Sequence, residues 1–211
     1  MRLLTTRAAL RIVSVVGSLI WAMPAMAHPH IFIEQAMTVT YGKTVADKMA
    51  VTGVRMTWTF DDLYSSMLRN DYTENPDGPL TEADIRNLEK HAFGNLASVH
   101  YFTTVTINGT PVPVAAPTHF TAHATGDKVT YEFTVPISTP PKPGQNTVEV
   151  MVFDPEYYVD FEAAAKDPVK VTGQKPGGPQ PDCRSVGDKR DTIGWGKVQV
   201  DELVCSYGGG G

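Results

Sequence analysis

Residues 30–40 and 51–60 are rich in β-branched and aromatic side chains that partly alternate with polar ones, and Tyr41-Gly42-Lys43 supplies a turn between them. Period-two alternation commits a chain to half-buried strands, because successive strand side chains point to opposite faces. Four further runs carry the same signature: 100–107 ending at Asn108-Gly109, 118–124 ending at Gly126-Asp127, 128–135 and 147–153. Short strands punctuated by such turns predict antiparallel pairing in a β-sandwich or an open barrel. Between the two sets the period changes. Residues 62–70 and 81–96 read as helical; Leu80, Ile85, Leu88, Ala92 and Leu96 recur near helical spacing, and Thr81 with Asp84 makes a variant of the N-terminal capping box. The expected fold class is therefore α+β, a β domain over residues 28–170 carrying a helical insertion at about 61–97.

The first 27 residues belong to something else. Arg2, Arg7 and Arg11 precede a short apolar run, and Ala22-Met23-Pro24-Ala25-Met26-Ala27 places small residues before a cleavage point. That order is a secretory signal peptide, and the run is about half the ~20 apolar residues that a spanning helix needs. Removing residues 1–27 takes away three arginines and no acid, which moves the formal charge from -5 to -8. A negative surface is the wrong sign for nucleic acid or an anionic membrane. With 42% hydrophobic and 19% charged residues, the chain has material for a core and too few charges for a disordered coil. An exported protein meets an oxidising compartment, so Cys183 and Cys205 are expected to pair, closing a Pro/Gly-rich C-terminal segment, 171–211.

Cleavage after Ala27 would start the mature chain at His28-Pro29-His30. Residues two apart on an extended backbone share a face, so both imidazoles can close on one cation, and neutral imidazole suits Zn, Cu and Ni. The new α-amine would add a third nitrogen. Pro29 has no N–H to lose, which disfavours a square-planar chelate through two deprotonated backbone amides. Two arrangements remain: the amine and ring of His28, or the two imidazoles with a carboxylate from elsewhere. The plain alternative is a pair of solvated, idle histidines.

The mature His28-Pro29-His30 start, Trp58-Thr59-Phe60-Asp61 with Tyr64-Ser65, Asn75-Pro76-Asp77-Gly78, Tyr101-Phe102-Thr103, Asp154-Pro155-Glu156-Tyr157-Tyr158 and a late cysteine together resemble the DUF1007 family. These are exported partners of NicO-type nickel, cobalt or zinc permeases. The resemblance implies a periplasmic accessory protein that binds a transition metal, zinc foremost, and serves an inner-membrane metal permease. It also implies a calcium-type loop in the helical insertion, from which this chain departs. With Gly78 at the sixth loop position, Asn75 and Asp77 fall suitably at the third and fifth, but Thr73 stands first and Asp84 twelfth. A working loop wants Asp first and a bidentate Glu last. The insertion therefore reads as a degenerate EF-hand-like helix-loop-helix with little affinity for calcium.

A zinc site on two imidazoles wants further ligands. Asp61 and Asp154 each end a strand and are the candidates, although turn formation or helix capping is the commoner use of such positions. Glu34 lies about 13 Å beyond His30 by strand rise, as His123 does beyond His119, so neither pair shares an ion on a regular strand. His91 and His100 lack partners at helical or strand spacing. Zinc with an open position could activate water. There is no HExxH, no GxSxG and no Cys nucleophile with a base, so hydrolysis has no motif behind it. The expected function is metal binding without catalysis. A copper-handling protein using a His28 brace, and a structural or interaction domain, are the alternatives.

Overall fold

The computed structural model describes residues 28–44, 46–173 and 180–209; the expected signal peptide and the Pro/Gly stretch at 174–179 lie outside them. Two sheets face each other as a sandwich, with no closed barrel. Strand β1 (Ile31–Lys43) buries every second residue, from Ile31 and Ile33 through Gln35, Met37 and Val39 to Tyr41. It pairs antiparallel along its length with β2 (Met49–Phe60). After the helical insertion come β3 (Thr103–Ile107), β4 (Thr110–Val112), β5 (Thr118–Thr125), β6 (Lys128–Pro136) and β7 (Gly144–Val152). The β3–β4 hairpin turns at Asn108 and Gly109, both with positive φ, as a two-residue primed turn requires.

The chain then adds strands that the alternation pattern did not announce. They are β8 (Val159–Ala163), β9 (Val169–Thr172), β10 (Asp182–Thr192) and β11 (Gly196–Gly209). The first sheet runs β5-β6-β2-β1-β8 with β9 also on β1; the second runs β10-β11-β7-β3-β4. Both β8 and β9 pair parallel with β1, so the first sheet is mixed and not wholly antiparallel. The reason is that β2 covers one side of β1 and the open side is filled by chain returning after β7. The segment 171–211, expected as a disulfide-closed stretch, supplies two strands of the second sheet and puts Leu203, Cys205 and Tyr207 into the core. Cys183 and Cys205 stand directly opposite across β10 and β11 and form the disulfide, with Cα atoms 4.1 Å apart.

Between the sheets lie Val39, Val54, Met56, Trp58, Phe133, Val148, Val150 and Leu203, all essentially inaccessible. Each such side chain contributes on the order of 1.5–3 kcal/mol relative to exposure. The insertion caps one end. Helix α1 (Asp62–Tyr72) starts at Asp61, whose carboxylate accepts from the Tyr64 N–H at 2.8 Å. Helix α2 (Glu82–His91) starts with the expected Thr81–Asp84 capping box. A 3-10 stretch, Phe93–Phe102, follows and leaves helical geometry at Val99, His100 and Tyr101. No helix among the described residues is long and apolar enough to cross a membrane.

Candidate metal site

His28 and His30 stand at the start of β1, where backbone from another part of the chain fixes them. The N–H groups of His30 and Ile31 donate to the Tyr158 carbonyl at 2.9 and 3.2 Å. The turn carrying Tyr158 is in turn held by Asp154, which is 5% exposed and accepts from the N–H groups of Glu156, Tyr158 and Val159 at 2.9–3.0 Å. From the second sheet, the β10–β11 hairpin reaches over the same turn, and its Ile193 N–H donates to the Pro155 carbonyl at 2.7 Å. That contact seats Trp195, at the hairpin tip, against His28.

The outcome is an aromatic cluster around two imidazoles. The His28 and His30 ring centroids are 4.7 Å apart; Trp195 lies 4.4 Å from His28 and Tyr158 lies 4.7 Å from His30. His30 is exposed and His28 half-buried, and the His28 Nδ1 atom is buried without a hydrogen-bond partner. A nitrogen lone pair or N–H left in that condition costs free energy unless something binds it. Two tetrahedral Zn–N bonds of about 2.0–2.1 Å put their nitrogens about 3.3 Å apart. Rings with centroids at 4.7 Å can meet that spacing by side-chain rotation.

The two candidate carboxylates lie close by along the backbone but have other work. Asp61 bridges α1 to β1, since its second oxygen accepts from the Phe32 N–H at 2.8 Å while its own N–H donates to the Phe32 carbonyl. Asp154 organises the Tyr158 turn. Each therefore positions the histidine segment through backbone bonds. Among the described residues, no three His, Cys, Asp or Glu side chains are grouped to hold a metal. The protein donors brought together are the two imidazoles.

The remaining candidates are dispersed. His119 sits at a break in the β5–β6 register, with its ring bonded to the Thr118 hydroxyl at 3.0 Å, and His123 is exposed further along. In the helix-loop-helix, Asp84 at the twelfth loop position is 4% exposed and accepts from the Thr81 N–H and hydroxyl and from the Glu74 N–H. The Thr81 hydroxyl and N–H hold its carboxyl below the usual carboxylate range. The loop carbonyls of Pro76 and Gly78 receive the Arg69 guanidinium, which reaches the Gly126 carbonyl as well. A resident side-chain cation thus ties the loop to the β5–β6 turn. Trp195 carried no signal in the sequence; Tyr158 belonged to an aromatic group that could line a ligand groove or pack in the core, and its contact with His30 comes only from segments distant in sequence.

A model of the DUF1007 family, described as a protein of unknown function, matches residues 13–186. The chain belongs to the DUF1007 family. It is 30% identical over 146 residues to an uncharacterized protein of Haemophilus influenzae, covering 68% of this chain and 66% of that relative, just under two thirds of its length. It is 29% identical over 104 residues to an uncharacterized 15.5 kDa protein encoded in the trpE 3' region of Spirochaeta aurantia, covering 48% of this chain and 74% of the relative. The family's span takes in the histidine start, the Asp61 bridge, the Asp154 turn and the whole helical insertion.

Proposed function

We propose that this DUF1007 protein is a periplasmic carrier for a divalent transition metal, zinc foremost, which it takes up at His28 and His30 and passes to an inner-membrane permease. The observation that carries the reading is the pair of imidazoles at 4.7 Å, one with an unpartnered ring nitrogen, held by backbone bonds to Tyr158. Imidazole is the donor common to Zn, Cu and Ni sites. Two protein ligands leave coordination positions for water or for a receiving protein, and such a site releases its ion more readily than a closed four-ligand site. The acidic surface raises the local concentration of cations, and a disulfide belongs to chains that fold in an oxidising compartment.

A second reading rests on which nitrogen is buried. The buried nitrogen of His28 that lacks a partner is Nδ1, and Nδ1 closes a six-membered chelate with the α-amine of the same residue once that amine is released. This favours a histidine brace, the arrangement suited to copper.

Calorimetry of the processed protein with Zn, Cu and Ni tests both. The carrier reading expects His28→Ala and His30→Ala each to weaken binding by more than the roughly 10–100-fold that follows loss of an outer-shell partner. One residue added before His28 leaves a two-imidazole site intact and abolishes a brace. Open-shell Cu and Ni should quench Trp195 fluorescence, since its ring lies 4.4 Å from His28. Affinity unchanged in both alanine variants would remove the site. The permease is tested in cells lacking the protein: wild type restores their metal content, and the double alanine variant does not.

A further inference from the structure

Behind the histidine cluster, between the first sheet and the helical insertion, lies a cavity of about 200 Å³. Its deep wall is made by buried Ile33, Trp58, Phe60 and Tyr131, and its outer wall by the less buried Leu96 and Tyr158. Tyr158 is 47% exposed and is the wall that this cavity shares with the metal site. No acidic, basic or histidine side chain lines the space. Two wall residues nevertheless carry polar atoms without partners: the Trp58 indole N–H and the Tyr131 hydroxyl, on side chains that are 1% and 2% exposed. A buried donor left unmade costs about 1–3 kcal/mol, so a pair of them in one cavity wall calls for a partner.

We propose that this cavity binds a small uncharged ring compound bearing one or two hydrogen-bond acceptors, such as an aryl ketone or aldehyde. The volume sets the size. An apolar cavity of about 150 Å³ holds benzene, so about 200 Å³ takes one ring with a short substituent. The uncharged lining sets the charge, because an ion would lose its hydration with nothing to replace it. The two orphaned atoms set the polarity. The indole N–H can only donate and the hydroxyl can donate, so the ligand must supply acceptors. Burial foremost, with the neighbouring Tyr64 and Tyr72 hydroxyls, pushes the Tyr131 hydroxyl far above its ordinary value, so it keeps its proton. Binding then means insertion past Tyr158 and Leu96, with small rotations of Trp58 and Tyr131 bringing their polar atoms to the ligand oxygen.

The test uses the metal-free protein and follows its indole N–H resonances by NMR while acetophenone, ethylbenzene or benzoate is added. Acetophenone is expected to move the Trp58 resonance without moving that of Trp195, to bind about fivefold tighter than ethylbenzene, and to outcompete benzoate, which should not bind. Trp58→Phe, in which binding is followed on the ligand's own proton signals because the reporter indole is gone, should bring acetophenone down to the ethylbenzene level. Leu96→Trp fills the cavity from its partly buried outer wall and should abolish binding of both neutral probes, its fold checked by the unchanged spread of the remaining amide resonances. The proposal is overturned if no probe moves the Trp58 resonance at millimolar concentration, if acetophenone and ethylbenzene bind equally, or if Leu96→Trp leaves binding unchanged. None of these readouts involves His28 or His30, so the cavity and the metal site stand or fall separately.

Discussion

Asp154 shows how one buried side chain can govern a site it does not enter. Its two oxygens accept three backbone N–H groups, and the turn they fix delivers both the Tyr158 carbonyl to His30 and the Tyr158 ring to the imidazoles. Removing the carboxylate leaves three donors at a site that is 5% exposed. Asp154→Ala should therefore lower stability by about 3–5 kcal/mol, measured by urea denaturation, and weaken metal binding along with it. Asp154→Asn retains one acceptor oxygen and should lose less of both. A loss of stability with metal affinity intact would show that the Tyr158 turn does not position the histidines. The residue was singled out from sequence as a carboxylate at a strand end, but its partners were not visible there. They come from its own turn, and only the register of β8 on β1 brings that turn to His30.

At the scale of single elements, the helical insertion depends on its ends. Helix α2 is only 10 residues long and opens with the Thr81–Asp84 box, in which Asp84 also reaches back to the Glu74 N–H. Thr81→Ala should cost about 1 kcal/mol, read as a fall in thermal midpoint. The pH dependence follows from the direction in which Asp84 is shifted. Its folded carboxyl is depressed, chiefly by the Thr81 hydroxyl and then by the Thr81 N–H, so the unfolded chain binds protons more readily. The stabilisation is fully present above the unfolded carboxylate range, near pH 4, and is lost as pH falls through the lower folded value. Wild type and Thr81→Ala should accordingly converge in stability as the solution is acidified below that range. A gap between them that does not narrow would mean the cap acts through the hydroxyl alone.

For the whole molecule, the C-terminal hairpin closes the design. Strand β11 lies between β10 and β7, contributes Leu203 and Tyr207 to the core, and carries Trp195 to the far end of the first sheet. The Cys183–Cys205 bond staples its open end and spans 22 residues. By chain entropy it contributes about 3 kcal/mol, so the Cys183→Ala, Cys205→Ala double variant should unfold at correspondingly lower urea. The hairpin tip is held independently by Ile193 on Pro155, so under the proposed carrier function metal affinity should survive in that variant under native conditions. Loss of metal binding on reduction would mean that the whole hairpin, and not its tip alone, supports the site.

What the sequence determined by itself was local. The alternation in β1 and β2, the Asn108-Gly109 turn and the Thr81 cap follow from short-range sterics and hydrogen bonding, and each can be read from a few neighbouring residues; the pairing of the only two cysteines follows instead from their number and from the expected export of the chain. The closeness of the His28 and His30 rings was expected from an extended start, yet β1 begins only at Ile31 and the His28–Pro29 bond is cis, so their 4.7 Å approach is not the same-face placement of a regular strand. What the tertiary structure decided was which distant segments meet. The parallel seating of β8 and β9 on β1, the entry of the C-terminal hairpin into the second sheet, and the convergence of Tyr158 and Trp195 on the imidazoles all join residues far apart in the chain. Strands of four or five residues, as β8 and β9 are, carry little periodic signal, and their partner is chosen by the edge left open after the rest of the sheet has formed.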